Sequence, residues 1–317
     1  MTDVRAFLVD AFTDDPCTGN PAGVAFDADE LADDQMQAVA NELGASETAF
    51  VTESADAERR LRYFTPTTEV DLCGHATIAS HARLFESGRI DAGTHTVETN
   101  VGVLDIEVEE SGTVWMTQND PTIRRVEFDA ERVADALGVD ADARLDDLPL
   151  AVASTGLPFL VVPMKYLADL KEAAPDFDAL AELCEDAGAQ GVYAFSFETL
   201  GNATLHGRAF CPLLGVDEDP VTGTASGATG AYLDRYGAFS AANAAPGEVR
   251  EAPGGSQVSI ENGMPDEMVF EQGHFLGRDG EVRVRIGDDV RVGGTASTSL
   301  AGEFSVPASD EDEILEA

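Results

Sequence analysis

Two stretches of this chain, Gly74-His75-Ala76-Thr77-Ile78-Ala79-Ser80 and Gly223-Thr224-Ala225-Ser226-Gly227-Ala228-Thr229, each place a glycine ahead of a run of small residues suited to a helix. The first amides of a helix have no partner within it and carry partial positive charge, so each stretch offers a cradle for a carboxylate. Two such starts facing one another would make a site for a small carboxylic acid. Three titratable residues accompany them: Glu47 in Ser46-Glu47-Thr48, His75 directly after the first glycine, and Asp219 in Glu218-Asp219-Pro220, just before the second. These side-chain types can take up and release a proton beside a bound acid. Each also has a structural account: Glu47 as a solvated carboxylate, His75 as a helix-start residue and Asp219 as an Asx turn before proline.

The elements that must position these residues come in two similar sets. Gly74, Ala76, Ala79, Ala82 and Leu84 match Gly223, Ala225, Ala228, Ala231 and Leu233. Upstream, Arg62-x-Phe64-x-Pro66 matches Arg208-x-Phe210-x-Pro212, and Thr18-Gly19-x-Pro21-x-x-Val24 matches Thr155-Gly156-x-Pro158-x-x-Val161. Three matches in one order predict two similar halves of ordinary domain size. Within a repeat, the unshared residues are the candidates for chemistry: Glu47 stands opposite Gly191, His75 opposite Thr224, and Asp219 lies in a stretch that only the second half carries. Both halves read as strands punctuated by two helices. In the first, apolar Leu31, Met36, Val39, Ala40 and Leu43 predict a helix over 29–43, and a second helix runs from Gly74 to about Phe85. In the second, helices are expected over 177–187 and from Gly223 to about Tyr236. The two glycine-opened helices are small or apolar on most sides, as expected of helices buried inside a sheet.

Composition narrows the class. A chain of 317 residues with 44% hydrophobic content can bury a sizeable core. Sixty acidic residues against 19 basic ones give a net charge of −41, which repels nucleic acid and anionic membranes. The acids are spread through every segment, as in Asp27-Ala28-Asp29-Glu30 and Asp140-Ala141-Asp142. That spread fits the surface of a halophile's cytosolic protein, where high ionic strength screens the self-repulsion. The start, Met1-Thr2-Asp3-Val4-Arg5, enters a strand-like segment without a basic and apolar leader, and a cytoplasmic location is expected. The four cysteines, at 17, 73, 184 and 211, form no C-x-x-C pair, and the spacing of six between His75 and His81 is not that of a zinc helix, so no metal is expected. No glycine-rich phosphate loop is present, so nothing in the motifs points to nucleotide binding.

Four ordered motifs carry a resemblance: Gly19-Asn20-Pro21-Ala22-Gly23-Val24, Ser46-Glu47-Thr48-Ala49-Phe50-Val51, Asp71-Leu72-Cys73-Gly74-His75-Ala76-Thr77 and Glu218-Asp219-Pro220-Val221-Thr222-Gly223-Thr224-Ala225. Over nearly the whole chain the sequence resembles the phenazine biosynthesis PhzF-like family. The resemblance implies an α+β, diaminopimelate epimerase-like fold: two similar domains, each a β-barrel-like sheet around a central helix, with the active site in the cleft between them. The expected boundaries are 1–118 with a C-terminal strand from about 295–306, then 119–294, with a poorly ordered acidic tail over 307–317. It also implies a cofactor-independent isomerase acting by proton transfer on a small carboxylic or amino acid, commonly a homodimer. Glu47 takes the place of the family's proton shuttle. His75 and Asp219 fall near the substrate, Thr224 keeps a hydroxyl where relatives often have serine, and Asn20, Gly74 and Gly223 join them as substrate-binding residues.

The same fold hosts racemases that use two cysteines, one from each half. Cys73 stands where one of that pair belongs, but Pro220 occupies the place of the other, and Cys211 comes too early to replace it. The pattern therefore favours a glutamate-driven isomerase over a two-thiol racemase. A single-cysteine racemase and a non-catalytic small-acid binder are the alternatives. In Gln272-Gly273-His274-Phe275-Leu276-Gly277-Arg278-Asp279-Gly280 the arginine is followed by aspartate where relatives usually have proline, which puts a ligand contact there in question.

Overall fold

Small residues on every face of a helix allow strands to close around it, and each of the two compact units of this chain is built on that device. The computed structural model describes residues 2–239, 249–251, 257–261, 264–306 and 309. Its units are Met1–Met116 with Gly293–Ala317, and Thr117–Val292. Apart from Ser309, whose hydroxyl donates to Asp34 at 3.1 Å, the predicted tail over 307–317 lies outside the described residues.

In the first unit, strand Thr2–Ala11 runs antiparallel to Asn20–Phe26 on one side and to Ala296–Val306 on the other. Asn20–Phe26 pairs in parallel with Thr48–Thr52, a crossover made by helix α1, Asp33–Leu43. Thr48–Thr52 then forms an antiparallel pair with Arg59–Phe64. Helix α2, Gly74–Glu86, follows, and buries Ala76, Thr77, Ile78, Ala79, Ser80, His81, Ala82 and Leu84. It packs against strands Thr2–Ala11, Asn20–Phe26, Thr48–Thr52, Gly102–Val108 and Ala296–Val306.

Helix α1 starts four residues later than its apolar spacing predicts. Leu31 N donates to Ala28 O in a turn, and the Gln35 side chain folds back to accept from Ala32 N at 3.0 Å, which sets the helix start. Leu31 still reaches the core from that turn. Polar residues of α2 bond back along the helix, Ser80 donating to Ala76 O and His81 Nδ1 to Thr77 O, while His81 Nε2 is buried with no hydrogen bond among the described residues. Burial drives the His81 pKa from its ordinary value of 6.5 down to about 4. Because the folded value is depressed, the unfolded chain binds the proton first, and stability is lost as pH falls from about 6.5 to about 4. The loss amounts to about 3 kcal/mol, at about 1.4 kcal/mol per pH unit. His81→Asn, which keeps a donor for Thr77 O, is expected to flatten that limb. Urea midpoints measured across this range test it, and an unchanged slope would remove His81 as the cause.

In the second unit, strand Ala151–Ser154 lies antiparallel to both Thr122–Arg125 and Pro158–Met164. Pro158–Met164 pairs in parallel with Gly191–Ser196, and Gly191–Ser196 runs antiparallel to Leu205–Cys211. Leu205–Cys211 is followed by Val216–Asp219 and lies parallel to Met268–Gln272, which pairs with Gly280–Ile286. Among the described residues this unit carries four α-helices where two are expected: α3 (Ala130–Leu137), α4 (Leu167–Glu172), α5 (Phe177–Ala187) and α6 (Gly223–Arg235). The additional α3 packs Val133, Ala136 and Leu137 into a core shared with Leu180, Leu183 and Cys184 of α5.

Helix α6 is buried from Ala225 through Leu233 and packs against strands Thr122–Arg125, Ala151–Ser154, Pro158–Met164 and Gly280–Ile286. Glycine costs an interior helical position about 1 kcal/mol relative to alanine. Two sit here nonetheless, because a Cβ at Gly227 would lie 2.8 Å from Val292 and one at Gly230 2.7 Å from Val284. Each unit thus shows the same order: a parallel pair joined through helix, an antiparallel return, then a buried helix of 13 residues. Among the described residues, no helix is long and apolar enough to cross a membrane.

Candidate active site

The start of α2 is fixed by an arginine fork. Arg62, on strand Arg59–Phe64, donates through Nε and Nη2 to the two oxygens of Glu69 at 2.9 and 2.8 Å. Glu69–Val70 is thereby held against Tyr63 and Phe64, and the chain continues through Asp71 and Leu72 into Cys73, the N-cap of α2. The Cys73 carbonyl accepts from Thr77 N at 3.0 Å and Thr77 Oγ1 at 2.7 Å, and the same hydroxyl meets Tyr63 OH at 2.7 Å. Thr77 makes the first intrahelical bond, so the amides of Gly74 and His75 precede the ladder and are available to an anion. A Cβ placed on Gly74 would meet nothing within 4 Å, so this exposed glycine leaves open space at the helix start.

Glu47 arrives from a different element. Helix α1 ends at Gly44 in the left-handed conformation, and the following loop carries Ser46 and Glu47 into strand Thr48–Thr52. The Glu47 carbonyl accepts from Gly23 N at 2.9 Å. Only glycine fits there, since a Cβ on Gly23 would fall 2.3 Å from Thr48 Oγ1. The Glu47 backbone is therefore pinned from the neighbouring strand. Its carboxylate Oε2 comes to 3.4 Å from His75 Nε2, with side-chain exposures of 24% and 14%. That oxygen is itself buried and makes no aligned hydrogen bond among the described residues. Around the same ring, Ser46 Oγ lies 3.3 Å from Nε2, and Cys73 Sγ lies 3.4 Å from Nδ1 and 3.8 Å from Nε2.

The second unit repeats the arginine fork. Arg208 donates to both oxygens of Glu218 at 2.9 and 2.7 Å and to the carbonyls of Leu170 and Ala173. This anchors the segment leading through Asp219 to α6. Asp219 Oδ2 accepts from Thr222 Oγ1 at 2.5 Å. Gln272 braces the same turn: its Nε2 donates to Asp219 O at 2.8 Å and to Thr222 Oγ1 at 3.1 Å, and its Oε1 accepts from Thr222 N at 3.2 Å. Gly223 is the first residue of α6, and the Thr224 carbonyl and hydroxyl lie 3.2 and 3.5 Å from Thr155 Oγ1.

The structure thus gathers Ser46, Glu47, Cys73, Gly74 and His75 in the first unit, and Asp219, Gly223 and Thr224 with Thr155, Thr222 and Gln272 in the second. Asn20 is buried at the first position of its strand, opposite Ala11. The glycine before it, at φ +57°, could carry no Cβ without meeting Ala11 O. Gln272 and Thr155 brace the turn into α6, a role that the sequence motifs assign to neither. Their only signals were neighbouring glycines, Gly273 and Gly156, the first held at φ +83°.

The profile of the family described as phenazine biosynthesis-like protein matches residues 9–302. A Bacillus subtilis protein named uncharacterized isomerase YfhB is 36% identical over 308 residues, covering 95% of this chain and 96% of the relative. The crystal structure of a PhzF-family phenazine biosynthesis protein from Bacillus anthracis superposes with a TM-score of 0.81 at 32% identity, covering 96% of this chain and all of that one. A hydroxyproline epimerase from Agrobacterium vitis, solved with trans-4-hydroxy-L-proline bound, superposes with a TM-score of 0.57 at 13% identity over 96% of this chain and 91% of that one, a likeness of fold alone. The chain belongs to the phenazine biosynthesis-like, PhzC-PhzF, family, and is an isomerase on the α+β fold of the proline and diaminopimelate epimerases.

Proposed function

We propose that this protein moves a proton within a small carboxylic or amino acid without a cofactor, and that Glu47 removes and returns that proton. The observation that carries the reading is the Glu47 Oε2 atom, buried, 3.4 Å from His75 Nε2 and without an aligned hydrogen bond among the described residues. A carboxylate oxygen with an uncommitted lone pair, on a backbone pinned by Gly23, is placed to accept a substrate proton. The Gly74 and His75 amides would hold the substrate's carboxylate and stabilise the negative charge that develops as the C–H bond breaks. Glu47 then gives the proton back at another carbon or face. The tests are incubations in D2O with a panel of small carboxylic and amino acids, read by mass spectrometry. Deuterium should enter the turned-over ligand at the transferred carbon; an acid that binds without exchanging would reduce the protein to a binder.

A second reading has one contact in its favour: Cys73 Sγ lies 3.4 Å from His75 Nδ1, a pairing that would suit a single-thiol racemase. Pro220 supplies no second thiol, and Cys211 is buried in its strand, where burial, with the Asp219 charge beside it, raises its pKa. Under this reading Cys73→Ser would damage exchange more than Glu47→Gln. The proposal also extends to ancestry and medium: the shared order of elements supports an internal duplication, and the net charge of −41 supports a protein adapted to high salt. Resistance to urea should then rise steeply from low to molar KCl. A flat dependence would discard the salt reading and leave the chemistry untouched.

A further inference from the structure

We infer that Glu47, Cys73 and His75 form a site for a thiophilic divalent cation, Zn²⁺ above all, and that the bound ion shuts down the acid–base work of Glu47. The shutdown rests on the function proposed above; the binding does not. One ligand atom from each residue lies within 4.8 Å of the others. Tetrahedral zinc, with bonds of about 2.3 Å to sulfur and 2.0–2.1 Å to nitrogen and oxygen, sets edges of about 3.4 Å between nitrogen and oxygen and about 3.6 Å between sulfur and nitrogen. Glu47 Oε2 is 3.4 Å from His75 Nε2, and Cys73 Sγ is 3.8 Å from the same nitrogen. Two edges of the polyhedron are therefore formed to within a few tenths of an ångström. Because Sγ is close to both ring nitrogens, completing the coordination needs a turn of the imidazole about χ2, a broad torsion.

The donor set selects the ion. One thiolate, one imidazole and one carboxylate favour zinc or a similar borderline cation over magnesium or calcium, which take oxygen ligands. On binding, the Cys73 thiol gives its proton to solvent, His75 ligates as the neutral base and Glu47 as the carboxylate, so the two ligand charges neutralise the ion. No oxidant or reductant is involved. The ligands are held before the ion arrives: Glu47 through its carbonyl bond to Gly23, and Cys73 through the Tyr63, Thr77 and Cys73 carbonyl chain. Three protein ligands leave a fourth position, with Ser46 Oγ 3.3 Å from His75 Nε2, for water or a ligand's carboxylate. Coordination would occupy the lone pair that Glu47 needs for the proton.

The test is titration of Co²⁺ alone into the reduced, chelator-treated full chain. One equivalent should give intense tetrahedral d–d bands and a sulfur-to-cobalt charge-transfer band. Cys73→Ser should abolish the charge-transfer band, and His75→Gln should weaken Zn²⁺ competition against a chromophoric chelator by about tenfold or more. Cys17→Ser, removing the exposed thiol, should change neither. Absence of a charge-transfer band in the wild type, or its survival in Cys73→Ser, would overturn the site. The absorbance needs no substrate, so failed deuterium exchange with intact cobalt bands would count against the isomerase reading alone. Failed cobalt bands with intact exchange would count against the metal site alone. Where both stand, Zn²⁺ should slow exchange in proportion to occupancy; undiminished exchange at full occupancy would reject the shutdown.

Discussion

Glu47→Gln should lower the rate of deuterium exchange into ligand by about 10²–10⁴-fold, the range that a positioned acid–base group contributes. The substitution keeps the side chain's length and leaves its backbone carbonyl bonded to Gly23 N, so the strand junction should be undisturbed. What disappears is an oxygen that can accept the substrate's proton and return it. A group that acts on the reacting proton changes kcat and kcat/KM together, whereas a group that only binds ligand raises KM. The expected signature is thus a collapse of kcat with ligand affinity changed by a few-fold at most, measured by exchange kinetics and by calorimetry with the same acid. A variant exchanging within a few-fold of wild type would remove Glu47 from the chemistry. If Cys73→Ser were then inactive, the single-thiol reading would take its place.

The sequence made some of this architecture readable and hid the rest for identifiable reasons. Helices α2 and α6 could be read because small residues on every face leave little alternative to burial among strands, and all of Ala76 to Ala82 is in fact buried. Strands Ala151–Ser154 and Pro158–Met164 escaped because continuous apolar runs carry no period. Helices α3 and α4 are only eight and six residues long, too short for a strong pattern. At the site, Glu47 and His75 were each marked by a local motif, but their approach to 3.4 Å depends on a parallel strand pair and on α2 threading beneath it. Cysteine and histidine spacing reports only ligands carried by one element, so the approach of Cys73 and His75 at the start of α2 to Glu47 at the head of a strand lies outside it. Gln272 illustrates the same limit, since it reaches across 50 positions to brace Thr222 with only the neighbouring Gly273 to mark it.

A buried carboxylate in the second unit, one residue before the Gln272 brace, is expected to contribute strongly to that unit's stability. Glu271 is 2% exposed; its Oε1 accepts from His206 Nδ1 at 2.8 Å and from Leu200 N, and its Oε2 from Gly201 N at 3.1 Å. His206 is fully buried, its ring 4.8 Å from that of Phe275. Burial alone would raise the Glu271 pKa, but the hydrogen bonds from His206 and the two amides outweigh it and hold the group below the usual carboxylate range. Since the folded value is depressed, the contribution is full above the unfolded value of about 4.3 and is lost as pH falls through the folded value. The window lies below most of the range in which His81 acts, so the two effects separate on one pH profile. Glu271→Ala strands three donors and should cost about 3–5 kcal/mol, as when one partner of a buried pair is removed. Glu271→Gln can still accept from His206 and Leu200 and orphans only the Gly201 amide, for a cost of about 1–3 kcal/mol. Urea midpoints at neutral pH should fall in the order wild type, Gln, Ala, and amide exchange should quicken in strands Leu205–Cys211 and Met268–Gln272. If the alanine variant does not accumulate as folded protein, the glutamine variant still decides the matter. A midpoint for it equal to wild type would show that the carboxylate contributes nothing beyond its volume.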